Sequence, residues 1–176
     1  WYTAVTGIWQ TVWLEQVDSA HFTSVHFIPS LDSVEVFVQA SESGSVCMEV
    51  LEEDSCITAH TFTAGGSQTV SFEAPRLWTP EQPFLYRVRL SLLRAGRETD
   101  RVESYFGLRT FAVQPDENGT PYFLLNGRPY FQKGLLDQGY WPDGLYTAPS
   151  DEALRRDIEQ AKALGFNMLR KHIKVE

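Results

Sequence analysis

The sequence predicts a mainly β protein in which a seven-stranded sandwich is followed by a short strand–helix–strand unit. Two observations carry this prediction. From about residue 17 to about residue 112, short runs of β-branched and aromatic residues alternate with turn-forming stretches, and no helical period appears among them. After residue 113 the pattern changes, because one amphipathic helical segment lies between two apolar strand-like segments.

The sandwich prediction depends on seven strand-like segments in about 95 residues, the number and spacing expected for an immunoglobulin-like domain. Alternation is clearest at 34–38, where Val34, Val36 and Val38 share one face of the strand. Turn compositions such as 41–44 separate the segments. The predicted strands are 21–29, 33–40, 45–51, 56–62, 68–73, 84–93 and 100–112.

A tight hairpin is predicted after the sandwich. Asn126-Gly127 is a dipeptide that supplies the positive φ angles of a two-residue type I′ turn. The flanking segments 122–125 and 128–131 carry aromatic side chains, which favours strands. The turn-forming stretch 114–119 precedes them, so we expect a domain boundary near residue 113.

A βαβ unit is predicted to complete the chain. Ser150 is a suitable helix cap, and Gly165 stands where a C-terminal cap glycine belongs. The strands predicted on either side of this helix are 131–136 and 166–173. Because one βαβ unit cannot cover both faces of its sheet, we expect it to be the truncated start of a larger parallel β/α domain.

The first residues are predicted to belong to a different domain. The β-branched and aromatic segment 8–14 predicts a strand, and the chain has no initiator Met. We therefore expect an internal piece of a larger multidomain protein. The predicted boundaries are 1–16 for the last strand of a preceding β-sandwich, 17–112 for the immunoglobulin-like sandwich and 113–176 for the β/α start.

Charge and side-chain spacing limit the partners. With 15 basic and 23 acidic residues the formal net charge is −8, which disfavours nucleic acid. No apolar run approaches the about 20 residues of a membrane-spanning helix. His21, His26 and His60 lack further ligands at metal-binding spacing, so neither a metal nor a cofactor is predicted. Cys47 and Cys56 are predicted to be free thiols, and the cellular compartment stays open.

Five stretches, in the right order along the chain, carry a family resemblance. The most specific is Leu77 to Tyr86, which has the form W-(S/T)-P-x-x-P-x-L-Y and resembles a stretch in the middle, immunoglobulin-like domain of family 2 glycoside hydrolases. Thr6 to Glu15 resembles the end of the N-terminal sugar-binding-like sandwich, and Phe106 to Arg109 resembles an FG-(I/L/F)-R strand. Leu124 to Pro129 resembles the hairpin that leads into the catalytic TIM barrel, and Phe166 to Arg170 resembles the second barrel strand.

The resemblance implies a fold and a chemistry. The implied fold is mainly β, an immunoglobulin-like β-sandwich followed by a truncated βαβ opening of a TIM barrel. The implied activity is retaining hydrolysis of β-O-glycosidic bonds in carbohydrate metabolism, with one glutamate as general acid/base and a second as nucleophile. In the family both glutamates lie on later barrel strands, so no catalytic residue is assigned here and the piece alone is expected to be inactive.

The implied partner is a carbohydrate substrate of the parent protein, and the sugar stays open. The sandwich is expected to support the barrel, a role compatible with a homo-oligomer. The alternative is a non-catalytic immunoglobulin-like module that binds carbohydrate or mediates adhesion. The hairpin and βαβ unit disfavour this alternative, because a free-standing module would end near residue 113.

Candidate substrate-binding residues lie at the carboxyl ends of the two predicted barrel strands, where β/α barrels bind ligands. In the loop after the first strand, Asp137 and Gln138 offer hydrogen bonds to sugar hydroxyls. Tyr140 and Trp141 offer aromatic faces to a pyranose ring. The alternative is a long surface loop packed by its own aromatic side chains.

The second strand end carries Arg170 and His172, two residues apart and hence on one face of the strand. They are predicted to bind substrate or to orient a catalytic carboxylate. The alternative is a buried salt bridge in the lower layers of the barrel. Many relatives carry Arg-x-Ser-His, where this chain has Arg170-Lys171-His172, so both interpretations of His172 stay open.

Overall fold

The computed structural model describes residues 4–174. The chain forms two compact units. One unit is Gln16–Tyr130, and the other comprises Trp1–Glu15 together with Phe131–Glu176. Each unit has its own secondary structure.

The first unit contains a sandwich of two antiparallel sheets. Its strands are β1 (Phe22–Pro29), β2 (Ser33–Ala40), β3 (Ser45–Glu52), β4 (Ser55–Thr63), β5 (Ser67–Ser71), β6 (Tyr86–Arg94) and β7 (Arg97–Phe106). One sheet has the order β1-β2-β5 and the other has the order β4-β3-β6-β7. The sandwich that the sequence predicts is therefore confirmed, and the first six predicted strands correspond to β1–β6.

The core of the sandwich follows directly from the period-two pattern of its strands. On β2, Val34, Val36 and Val38 are at most 1% exposed. They belong to one hydrophobic cluster with the inward-facing residues of β3 and β6. Full burial of each such side chain stabilises the fold by about 1.5–3 kcal/mol before entropy is counted. The inward-facing residues of these two strands are Val46, Met48, Val50, Tyr86, Val88, Leu90 and Leu92.

Both cysteines are free, as the sequence predicts. Strands β3 and β4 form an antiparallel hairpin in which Cys47 lies opposite Thr61. Cys56 lies opposite Leu51, close to the turn. The register of the hairpin, which its turn sets, thus places the two thiols opposite other residues and not opposite each other.

Two of the predicted strands are wrong in extent or existence. The strand predicted over 100–112 ends at Phe106, because Leu108 is fully buried and forms a bridge with Leu77. Residues 8–14 form no strand, and Ile8 and Trp13 are 82% and 70% exposed. A strand requires a neighbouring edge for its N–H and C=O groups, and no described strand pairs with this segment.

A third sheet follows the sandwich within the same unit. It has the order β10-β9-β8 and consists of β8 (Phe111–Pro115), β9 (Pro121–Leu125) and β10 (Arg128–Pro129). Asn126 and Gly127 have φ angles of 52° and 74°, which confirms the predicted turn. The Asn126 amide donates to the Trp78 carbonyl at 3.1 Å, and its oxygen accepts from the Thr110 N–H at 3.0 Å. One side chain therefore ties the hairpin to the sandwich.

The second unit contains the predicted βαβ arrangement. Strand β11 (Gly134–Asp137), helix α1 (Asp151–Ala163) and strand β12 (Met168–Lys171) follow one another, and the two strands are parallel. The Ser150 hydroxyl accepts the Ala153 N–H at 3.2 Å, which confirms it as the N-cap. At the other end Gly165 has a φ of 85°, and the Phe166 N–H reaches the Ala161 carbonyl. No helix among the described residues is long and apolar enough to cross a membrane.

The β1–β2 turn predicts a local pH dependence of stability. The Ser30 and Ser33 hydroxyls donate to the Asp32 carboxylate at 2.9 and 3.1 Å and hold its pKa below the ordinary value. A lowered pKa in the folded state adds stability above the unfolded-state pKa of about 3.9, and this stability is lost as the pH falls through the folded-state pKa. Carbon-13 NMR of the carboxyl should show the lowered midpoint. Ser30→Ala should return it towards the ordinary value, and an unchanged midpoint in that variant would contradict this origin.

Candidate functional site

The carboxyl ends of β11 and β12 lie side by side at one edge of their sheet. The parallel register aligns Leu136 with Arg170 and Asp137 with Lys171. Residues of the two strands that are 34 positions apart in sequence are therefore neighbours. This edge holds the candidate residues that the sequence predicts, and the side chains divide between its two faces.

Helix α1 covers one face of the strand pair. A cleft of about 420 Å³ is lined by Leu135 and Leu169 from the strands, by Ala161 from the helix and by Leu164 at its C-cap. The candidate residues Asp137, Gln138 and Tyr140 also line this cleft. Side chains alternate along a strand, so residues one position away from Leu169 point to the opposite face. Arg170 is therefore on the face away from the helix, whereas Asp137, aligned with Lys171, shares the parity of the helix-facing residues.

The Asp137 carboxylate is held by two hydrogen bonds. One oxygen accepts from the Lys171 ammonium at 2.7 Å, and the other accepts from the Gly139 N–H at 2.9 Å. The Asp137 side chain is 24% exposed, so this ion pair is partly shielded from water. Asp137 thus fixes the start of the loop, and each oxygen keeps the capacity to accept one further bond.

Gln138 and His172 meet directly beyond the strand ends. The His172 N–H donates to the Asp137 carbonyl at 2.8 Å, which extends the pairing of the two strands by one residue. The Gln138 amide nitrogen lies 3.2 Å from His172 Nδ1. An amide nitrogen only donates, so Nδ1 accepts and the ring proton is on Nε2. His172 Nε2 is then a donor suited to a hydroxyl or carboxylate oxygen.

Arg170 is exposed and forms no ion pair with any residue of the described range. The alternative of a buried salt bridge is therefore not the arrangement in residues 4–174. The guanidinium group offers five N–H donors in a planar fork that matches carboxylates and pairs of hydroxyls. Its exposed position leaves these donors available to a ligand.

The loop after β11 packs partly on its own aromatic side chains. The Tyr140 hydroxyl donates to the Tyr146 hydroxyl at 2.6 Å, and the two rings lie 4.7 Å apart. Trp141 and Leu145 exchange two backbone hydrogen bonds of 2.9 Å. Gly144 permits this turn, because a Cβ there would lie 1.9 Å from the Thr147 carbonyl oxygen. The compact loop agrees with the alternative prediction, and it also gives Tyr140 and Trp141 defined positions.

Trp141 presents an unusual polar atom. Its indole Nε1 is buried and has no hydrogen-bond partner among the described residues.

Within residues 4–174 no group of three or more His, Cys, Asp or Glu side chains has the geometry of a metal site.

Two further residues, Lys174 and Trp9, contribute to the site without being predicted from the sequence. Lys174 reaches the carbonyls of Gly139 and Tyr146, which lie 35 and 28 positions earlier in the chain. Trp9 packs edge-on against Tyr146, with ring centroids 5.5 Å apart, and its carbonyl accepts from the Thr147 hydroxyl at 3.0 Å. No local signal announces contacts over such separations. Only the apolar character of the segment around Trp9 indicated that it packs against something.

Comparisons with known proteins agree with the resemblance in the sequence. The family model of glycosyl hydrolases family 2 matches residues 20–109. A β-galactosidase of Thermoanaerobacter pseudethanolicus is 25% identical over 96% of the chain, which covers 24% of that relative. A β-galactosidase of Lactococcus lactis is 24% identical over 94% of the chain, which covers 17% of that relative. The chain thus spans a quarter or less of the length of these curated relatives.

Solved structures show the same fold. A β-glucuronidase of Bacteroides uniformis has a TM-score of 0.75 at 22% identity, and the match covers 90% of this chain and 21% of that one. A family 2 β-galacturonidase of Eisenbergiella tayi bound to galacturonate has a TM-score of 0.67 at 22% identity, over 90% of this chain and 30% of that one. Because the family model matches more than half of the sequence, the chain belongs to glycosyl hydrolases family 2.

Proposed function

We propose that this chain is the non-catalytic portion of a retaining glycoside hydrolase that cleaves β-O-glycosidic bonds. The observation that carries the proposal is the parallel β11–β12 pair with its covering helix α1, which follows the family-matched sandwich and gathers donor side chains at its carboxyl edge. The curated relatives are named β-galactosidases and are several times longer than this chain. Residues 113–176 are in this proposal the start of a TIM barrel, and residues 1–16 end a preceding sandwich.

The face of the strand pair turned away from α1 is the proposed sugar-facing side. Arg170 supplies a fork of donors for hydroxyl or carboxylate oxygens, and His172 supplies its Nε2 proton. Gln138 holds the imidazole in that tautomer. Tyr140 and Trp141 complete the rim with aromatic surface. Asp137, on the helix-facing side, fixes the start of the loop that carries them. The proposed substrate-binding residues are Asp137, Gln138, Tyr140, Trp141, Arg170 and His172.

Catalysis requires two carboxylates about 5 Å apart in a retaining enzyme. The proposal assigns both to later barrel strands of the whole protein, as the family resemblance implies, and assigns none to this chain. The sandwich then has a supporting role, for which its large apolar core and the Asn126 tie to the hairpin are suited. The chain continues beyond the sandwich into a folded βαβ unit. No specific observation therefore favours the alternative of a free-standing carbohydrate-binding or adhesion module.

The test is hydrolysis of 4-nitrophenyl β-D-galactoside, β-D-glucuronide and β-D-mannoside. We expect no turnover by the 176-residue chain and turnover of at least one substrate by the polypeptide from the complete coding region. Proton NMR of the first product should show retained β configuration at the anomeric carbon. Turnover by the chain alone, or an inverted product, would contradict the proposal. Binding of the sugars without hydrolysis by either protein would favour the module alternative.

A further inference from the structure

The chain makes an unusual turn immediately after the second strand of the site. Ile173 has a φ of 71°, and the Lys174 N–H donates to the His172 carbonyl at 2.9 Å. An i to i+2 bond across a residue with positive φ is a γ-turn of the rare, strained kind. A β-branched residue in this region is a genuine outlier, since its Cβ crowds the backbone. Such strain persists only where surrounding contacts compensate for it.

The compensating contacts come from the next side chain. The Lys174 ammonium donates to the Gly139 carbonyl at 2.9 Å and also to the Tyr146 carbonyl. It lies 5.5 Å from the centre of the Tyr146 ring. Hydrogen bonds from a charged donor are about twice as strong as neutral ones. The γ-turn therefore directs the Lys174 ammonium towards the Gly139 and Tyr146 carbonyls, at the two ends of the aromatic segment 139–146.

Everything aromatic in the loop lies between these two carbonyls. The Tyr140–Tyr146 hydroxyl bond and the Trp141–Leu145 backbone pair both fall within 139–146. If the two carbonyls move apart, the Tyr140–Tyr146 contact and the Trp141–Leu145 backbone hydrogen bonds should weaken. Lys174, three residues beyond the end of β12, thus contacts both ends of the aromatic segment.

We propose that Lys174 is a positioning residue for the sugar-facing loop, aimed by the strained turn at Ile173. The predicted effect on sugar binding rests on the proposed function, whereas the predicted effect on the loop geometry does not. The Lys174 ammonium is engaged by the protein and does not itself bind substrate. Its loss should therefore weaken substrate binding through displaced Tyr140 and Trp141 and leave the catalytic groups in place.

The kinetic test uses Lys174→Met, which keeps an unbranched, flexible side chain one atom shorter and removes its charge. In the polypeptide from the complete coding region, with 4-nitrophenyl β-D-galactoside or β-D-glucuronide, we expect KM to rise about tenfold while kcat stays within about twofold. Lys133→Met is the matched control, because Lys133 is exposed at the far end of β11 and the same charge is removed. An unchanged KM in Lys174→Met, or an equal rise in Lys133→Met, would overturn the inference.

The structural test uses the 176-residue chain itself and needs no sugar. In Lys174→Met we expect the amide hydrogens of Trp141 and Leu145 to exchange at least about tenfold faster, with exchange in β2, β3 and β6 unchanged. Faster loop exchange in Lys174→Met, together with no glycosidase activity of the unaltered polypeptide from the complete coding region, would support the positioning role and reject the proposed function. Normal glycosidase activity with unchanged loop exchange and KM would support the proposed function and reject the positioning role.

Discussion

Tyr86→Ala is expected to lower the free energy of unfolding of the sandwich by about 3–5 kcal/mol, the cost of removing a large buried aromatic side chain. Tyr86 is 1% exposed. Its ring lies 4.7 Å from that of Phe72, 4.9 Å from that of Phe84 and 5.4 Å from that of Phe106. Phe106 lies on β7, in the same sheet as Tyr86, and Phe72 and Phe84 lie in the connection between β5 and β6. The cavity left by alanine would therefore open between that sheet and this connection.

The Tyr86 hydroxyl adds a smaller, separable contribution. It accepts the Arg76 N–H at 2.9 Å, across ten positions of the β5–β6 connection. Tyr86→Phe keeps the ring and leaves this part-buried N–H without its acceptor, so we expect a loss of about 1–2 kcal/mol. The difference between the two variants then measures the packing of the ring.

Urea denaturation followed by circular dichroism measures these changes. With a slope of about 2 kcal/mol per molar urea, Tyr86→Ala should lower the midpoint by about 2 M. Tyr105→Ala is the matched control, because the Tyr105 side chain lies on the outer face of β7 and is 64% exposed. We expect it to change stability by less than about 0.5 kcal/mol. A Tyr86→Ala variant as stable as Tyr105→Ala would contradict the expected contribution of the Tyr86 ring to the core.

Arg170→Gln is expected to lower kcat/KM about 100-fold in the polypeptide from the complete coding region, equivalent to about 2.7 kcal/mol of transition-state stabilisation. The physical reason is the loss of a charged, forked donor from the face of β12 that α1 leaves uncovered. Because Arg170 is exposed and forms no ion pair within the described residues, its removal should not change the stability of the fold.

Two further variants separate charge from geometry and from general effects. Arg170→Lys keeps the charge but replaces a planar fork with a point donor, so we expect it to stay at least about tenfold below the unaltered protein. Arg156→Gln removes an exposed arginine from α1 and should have no effect on kcat/KM. An Arg170→Gln variant that hydrolyses its substrate normally, or one that loses activity only because it unfolds, would contradict the assignment.

Local chemistry explains why most elements could be predicted from the sequence. Asn126-Gly127 forms its turn because both residues tolerate positive φ, and Ser150 and Gly165 begin and end α1 through contacts within a few positions. Alternating valines on β2 define the buried face without reference to any partner. In each case the interaction that decides the structure lies within the segment itself.

The prediction failed where a distant partner decided the outcome. Residues 8–14 have the composition of a strand, yet composition does not provide the neighbouring edge that a strand needs. The predicted strand over 100–112 breaks because Leu108 bridges Leu77, 31 positions earlier in the chain. The Leu108 carbonyl accepts from the Trp78 N–H at 2.9 Å, which replaces the ladder bond that a continuous strand would make.

The candidate site shows the same division. Its residue types and its place at the ends of two strands follow from the sequence alone, because strand parity and the position of a loop are local properties. Only the tertiary structure separates Arg170 from Asp137 by face, pairs Asp137 with Lys171 and brings Lys174 to Gly139 and Tyr146. These contacts depend on the parallel register of β11 and β12 and on a strained turn at Ile173, and neither leaves a local pattern in the sequence.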